Sequence, residues 1–133
     1  MAEFIVKTTS NKQIIDLTDK VNQLLDEQEK NQGLCFVFVK HTTCCLTTAD
    51  LDPGTDQDYL QAIDKIFPQA DYKHPHNPEH VGDHIMSSII GSGVWLPFES
   101  KSLQLGTWQK IVLIELNGPR NRQIELKFLK TSS

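Results

Sequence analysis

The chain has 133 residues, 38% hydrophobic and 23% charged, with a net charge of -4. That length gives one domain with a real core, and the acidic balance excludes the basic footprint of a nucleic-acid binder. No apolar run approaches the roughly 20 residues that span a bilayer, so no membrane partner is expected. The opening MAEFIVKTTS lacks the apolar stretch of a secretory signal. Cys35, Cys44 and Cys45 make a poor disulfide framework. They read as small buried apolar residues, and a reducing, cytoplasmic setting is the default.

Residues 3–8, EFIVKT, read as a short strand. A second is expected over Gln13–Leu17, after the turn-like Ser10-Asn11. Thr18 is the predicted N-cap of the first helix, with Asp19 in its first turn. Val21, Leu24, Leu25 and Gln28 follow at helical spacing, until Asn31-Gln32-Gly33 stops the helix. Leu34–Lys40, LCFVFVK, is apolar almost throughout and predicts a central strand buried on both faces. His41-Thr42-Thr43 stands at its end, where a rigid element holds side chains at a rim. Cys44–Thr48 is a further β-like run, and Asp50–Gly54 a turn. With Asp52 as cap and Pro53 first, a helix is predicted to about Phe67. Its apolar stripe is Tyr59, Leu60, Ile63, Ile66 and Phe67.

Pro68–Glu79 is a polar, proline-bearing connection, long enough to favour a functional role. A third helix, from about Glu79 to Ile90, puts His80 and His84 on one face at i and i+4. Gly91-Ser92-Gly93 breaks it. Strands are predicted over Val94–Phe98, Trp108–Leu116 and Arg122–Lys130, with Asn117-Gly118 as a hairpin signal between the last two. Short strands in two groups, interrupted by three helices, give an α+β class. The expectation is a single domain over residues 1–133 with largely antiparallel sheets.

Four of the five histidines, His74, His76, His80 and His84, fall within eleven residues. Imidazole is a common metal ligand and titrates near neutral pH. A site built from His76, His84 and distant His41 would keep a position open for water or substrate, and His80, on the same helix face as His84, is a further candidate ligand. The H-E-x-x-H glutamate of metalloproteases is missing, since Val81, Gly82 and Asp83 separate His80 from His84. The competing reading is a set of solvated loop histidines. Glu115 shares a strand face with Ile111 and Leu113 and is predicted half buried, in need of a partner. Arg120 or Arg122 would supply it, as a structural ion pair or as a phosphate-binding group at a cleft. Trp108 is expected in the core or, with Gln109, lining a pocket.

Several of these runs occur in a set order: His41-Thr42-Thr43, then His76 and His84, then Leu103-x-Leu105-Gly106-Thr107-Trp108-Gln109, Glu115 and Asn117-Gly118-Pro119-Arg120. Together they resemble the YjbQ-like family, also called the secondary thiamine-phosphate synthase family, over nearly the whole chain. The resemblance implies a small α+β domain assembling as a homotrimer. It implies a polar cleft in which His41, His76 and His84 hold a divalent metal ion, zinc or magnesium, to which His80, a departure from the family pattern, would add a ligand. It further implies thiamine-phosphate synthase activity, in which a pyrimidine methyl diphosphate joins a thiazole phosphate and diphosphate leaves. His41, Glu115 and Arg120 are then the catalytic candidates. Arg120, Arg122, Thr42 and Gln109 are the candidates for holding the phosphorylated substrate. The alternative is a non-catalytic trimeric protein that binds a metal or a small ligand. The chain departs from the family pattern at three places: His80 replaces an asparagine, Asp50-Leu51-Asp52 an Asn-Glu pair, and Lys101 a glycine.

Overall fold

The computed structural model describes residues 2–66, 73 and 81–132. In chain order the elements among them are β1 (Ala2–Lys7), β2 (Gln13–Asp16), α1 (Thr18–Asp26), β3 (Gln32–Val39), β4 (Cys44–Ala49), α2 (Thr55–Ile66), α3 (Val81–Ile90), β5 (Gly93–Glu99), β6 (Ser102–Leu103), β7 (Lys110–Glu115) and β8 (Asn121–Lys130). The strands form a five-stranded sheet, β1-β8-β3-β5-β6, and a three-stranded sheet, β2-β7-β4. Every pairing is antiparallel. The expected α+β class is what the chain adopts, with three helices among the described residues. The predicted connection Pro68–Glu79 lies outside the described residues apart from Lys73, as does the predicted start of the third helix.

The two sheets share one core. Cys35, Val37 and Val39 of β3 and Ile124 and Leu126 of β8 meet Ile111 and Leu113 of β7, and α1 adds Val21 and Leu25. The next residues of β7, Val112 and Ile114, belong to a second cluster with Met86 of α3 and the partly buried Leu60 and Ile63 of α2. Two-faced burial therefore falls to β7. In β3 buried and half-buried residues alternate strictly, with Leu34, Phe36 and Phe38 on the outer side. These outer residues are apolar because they cover one another: Phe36 stacks on Trp95 of β5 with ring centroids 4.5 Å apart. The three cysteines are free and buried, and burial pushes each thiol up to about 12.

Local details depart from the expectations for physical reasons. Thr18 does not cap α1. Asp16 Oδ1 accepts the Thr18 N–H at 2.9 Å, an Asx-type start. The Thr18 hydroxyl instead accepts the Ile111 N–H at 2.9 Å and ties the helix to β7. The helix ends at Asp26, and Gly33 belongs to β3. There the missing side chain permits a close pass, since a Cβ would meet the Leu129 carbonyl oxygen at 1.9 Å. None of the described stripe of α2 is fully buried, and Ile66 is exposed. Phe67 lies outside the described residues. Trp108 is not a core residue but is exposed in the turn before β7.

Asn117-Gly118 makes no hairpin, because β7 and β8 lie in different sheets. It is the crossover between them, with a cis peptide at Gly118-Pro119. The Gly118 N–H donates to the Asn11 carbonyl at 2.8 Å. A Cβ at Gly118 would stand 2.3 Å from the Ser10 carbonyl oxygen, so the crossover can press against the segment after β1. Among the described residues no helix is long and apolar enough to cross a membrane.

Ser100 and Lys101 turn β5 into β6 with φ of 50° and 58°. A side chain in this left-handed region costs roughly 1 kcal/mol relative to glycine. Lys101→Gly is therefore expected to raise the unfolding free energy by about 1 kcal/mol. Urea denaturation checks this, and an unchanged or lower midpoint would contradict it.

Candidate functional site

The end of β3, the crossover into β8 and helix α3 converge on one cleft. Pairing of β3 with β8 runs out at Val39 opposite Ile124. Two residues further on, a side chain continues the contact: the Gln123 N–H donates to His41 Nε2 at 3.0 Å. Thr42 is exposed and Thr43 turns inward and is buried.

Beneath the cleft lies an ion pair between the two sheets. Glu115, the last residue of β7, is 0% exposed, and Arg122 of β8 is 2% exposed. Arg122 Nε donates to the two carboxylate oxygens at 2.9 and 3.1 Å, and Nη2 reaches Oε2 at 2.5 Å. Nη2 also donates to the Thr43 carbonyl at 3.1 Å and to its hydroxyl oxygen at 2.8 Å. Thr8, just past β1, donates its hydroxyl proton to Glu115 Oε1 at 2.7 Å and accepts the Arg120 N–H at 2.8 Å. The Leu116 and Asn117 N–H groups add donors to Oε2, at 3.1 and 3.4 Å. A carboxylate buried this deeply is tolerated because its lone pairs are taken.

Above the pair opens a cleft of about 770 Å³. Its walls are Lys40, His41, Thr42, Thr43, His84, Asn117, Pro119, Arg120, Asn121 and Arg122. No carboxylate is among these described lining residues. Lys40 is neutralised by Glu125, 3.0 Å away. Arg120 is exposed, and its Nε donates to the Asn117 carbonyl at 2.8 Å. It has no carboxylate partner among the described residues. Among the described lining residues positive charge thus exceeds negative charge. Protonation of His41 is held below its ordinary range, first by burial and then by the Arg122 guanidinium. Arg120 adds to this and Glu115 opposes it.

Of the residues expected at the site, His41, Thr42, His84, Arg120 and Arg122 come together in the cleft. Glu115 does not reach it. Instead of being half buried it is sealed below, where it orients Arg122. Gln109 also stays out, because its Oε1 accepts the Gly106 N–H at 2.8 Å and closes a turn. Asp50 and Asp52 form a turn of their own, with the Asp52 N–H on Asp50 Oδ1 at 3.2 Å. His74, His76 and His80 lie outside the described residues. Among the described residues no three His, Cys, Asp or Glu side chains gather as a metal group. The Gln123 N–H occupies Nε2 of His41, which leaves Nδ1 as the ring nitrogen without a described partner.

Lys40, Thr43, Asn117 and Asn121 are site residues that the sequence reading did not single out. Thr43 and Asn117 sit inside the two runs that marked the site, so the runs were informative beyond their charged members. Thr8 gave no signal, since its partner Glu115 is 107 residues away.

A two-sheet α+β domain with an arginine- and histidine-lined cleft over a buried glutamate–arginine pair is the class these observations define. The family model described as UPF0047 protein YjbQ-like matches residues 2–131. A UPF0047 protein of Archaeoglobus fulgidus is 34% identical over 128 residues, which is 96% of this chain and 99% of that one. A YjbQ/UPF0047-family structure from Clostridium acetobutylicum is similar with a TM-score of 0.89 and 37% identity, covering 97% of this chain and 100% of that one. A structure from Aeropyrum pernix is similar with a TM-score of 0.90 and 32% identity, covering 98% of each chain. The chain belongs to the YjbQ-like UPF0047 family.

The lowered protonation of His41 has a consequence for stability. The ordinary value is 6.5, and the fold prefers the neutral ring. The contribution is therefore whole above that value and is lost as pH falls through the lower folded value. An NMR titration of the His41 Cε1 proton is expected to give a midpoint below 6.5. A midpoint above it would contradict the assignment.

Proposed function

We propose that the cleft binds a phosphorylated small molecule and that the protein is an enzyme acting on it. Thiamine-phosphate synthase chemistry is the concrete form. The observation that supports this reading is Arg120, exposed beside Arg122 and His41 in a cleft without a described carboxylate. A guanidinium fork matches phosphate oxygens and keeps its charge at every physiological pH.

In the synthase reaction the thiazole nitrogen attacks the methylene carbon of the pyrimidine diphosphate. The carbon–oxygen bond breaks and diphosphate leaves with the electron pair. Negative charge grows on the departing group, and fixed donors that meet it lower the barrier. Arg120 is the group that reaches toward this charge. Arg122 is held in place by Glu115, so it need not reorganise as the charge develops. A second reading is a non-catalytic binder of a small anionic ligand. It is favoured by Glu115, a catalytic candidate whose oxygens are all engaged below the cleft, where it holds Arg122 and is out of reach of a ligand.

Calorimetric titration with pyrophosphate tests the binding step. Arg120→Ala is expected to weaken binding about tenfold or more, as loss of a charged hydrogen-bond donor does. Equal affinity in the two proteins would overturn the reading. Product formation from pyrimidine methyl diphosphate and thiazole phosphate separates enzyme from binder, and none above the blank would leave only the binder.

A further inference from the structure

Histidine has two ring nitrogens, and in the neutral ring one carries a proton while the other offers a lone pair. In His41 the lone pair is identified by its partner. The Gln123 backbone N–H lies 3.0 Å from Nε2, and a backbone amide can only donate. Gln123 is also fixed, because it sits in β8 opposite Ile5 of β1. Nε2 is therefore the acceptor, and Nδ1 carries the proton.

We propose that His41 serves the cleft as a locked neutral donor, offering Nδ1–H to an anionic oxygen of the ligand, and not as a metal ligand. This rests on the reading of the cleft as a phosphate site. Three observations carry it further than the tautomer alone. His41 lines the cleft and is only partly buried. Its one hydrogen bond among the described residues is the one from Gln123, so no described protein acceptor takes the Nδ1 proton. The guanidinium groups nearest in effect, Arg122 and Arg120, also line the cleft. A donor beside two cations suits an anion's oxygen and repels a cation. A metal on Nε2 would have to displace the Gln123 amide and leave its N–H without a partner. A metal on Nδ1 would move the ring proton to Nε2, where it would face the Gln123 N–H and break that bond. Neutral imidazole stabilising a negative oxygen is a known mode of electrophilic assistance.

The locked donor also explains why Gln123 matters through its backbone and not its side chain, whose amide donates to Glu3 at 2.9 Å on the other side of the strand. Substitution of the Gln123 side chain is accordingly not the test. Asparagine places an amide N–H near the position of Nδ1, and glutamine places an amide oxygen near that of Nε2. The two replacements separate the two functions of the ring.

Long-range proton–nitrogen NMR on the full chain at pH 7.5 is expected to show the Nδ1–H tautomer for His41, unchanged when zinc chloride is added. The Nε2–H tautomer, or a zinc-induced shift of the His41 nitrogens, overturns the proposal. Pyrophosphate calorimetry supplies the second arm. His41→Gln is expected to lose about tenfold in affinity, and His41→Asn, which keeps a donor near the Nδ1 position, to lose less than His41→Gln. If wild type binds pyrophosphate and His41→Gln binds it equally, the donor role fails while the cleft reading survives. If wild type binds none, the phosphate reading fails, and with it the ligand assigned to the donor.

Discussion

The buried pair of Glu115 and Arg122 is the interaction on which the rest of the structure depends. It joins the last residue of β7 in one sheet to the second residue of β8 in the other. Desolvating two such charges costs several kcal/mol each, and mutual attraction alone does not always repay that. Here the remaining valences are also met, by Thr8, Thr43 and two backbone amides. The partners come from β1's end, from the segment after β3 and from the crossover. The pair therefore fixes three stretches of chain at one place, and two of them, the segment after β3 and the crossover, wall the cleft.

That arrangement divides labour between adjacent arginines. Arg122 is held with its Nε and Nη2 committed to protein acceptors. Arg120, two residues earlier and outside the sheet ladder, stays exposed with its backbone N–H on Thr8. One guanidinium makes the floor rigid and contributes its field, and the other reaches the solvent side. His41 joins them because its strand neighbour, Gln123, follows Arg122 directly. A single short segment, Arg120 to Gln123, thus sets two cations and one imidazole relative to each other. Rigid support of this kind is what keeps a binding group within the tolerance that recognition needs.

Much of this was legible in the order of residues, and the limits have physical causes. Element types were readable because periods of two and of 3.6 are written locally. Two-faced burial was assigned to β3 because its run is apolar, whereas β7 has it because α2 and α3 cover its second face. That covering is a tertiary fact. The choice between Arg120 and Arg122 as partner of Glu115 was left open, yet strand alternation in β8 contains the answer: Arg122 shares the inward face with Ile124 and Leu126. Of the histidines that cluster in sequence, His84 lines the cleft and His74, His76 and His80 lie outside the described residues. His41 is joined to Gln123 through a backbone amide, a partner with no side-chain signature. Lys101, where the family pattern has glycine, sits at φ 58°, so that departure is one of backbone strain away from the cleft. Gln109 belongs to a distinctive run, and its amide oxygen closes a tight turn there.

The most direct measurement is a double-mutant cycle on the buried pair, read by denaturant unfolding and by pyrophosphate affinity together. Glu115→Leu and Arg122→Met are each predicted to cost about 3–5 kcal/mol, because each leaves the other member buried and unpaired. The combined variant is predicted to recover much of that loss, since an apolar pair removes the unpaired charge, and yet to bind pyrophosphate at least about tenfold more weakly than wild type. Single variants that lose less than about 1 kcal/mol, or a combined variant that binds the anion like wild type, would contradict the central claim that this pair builds the cleft.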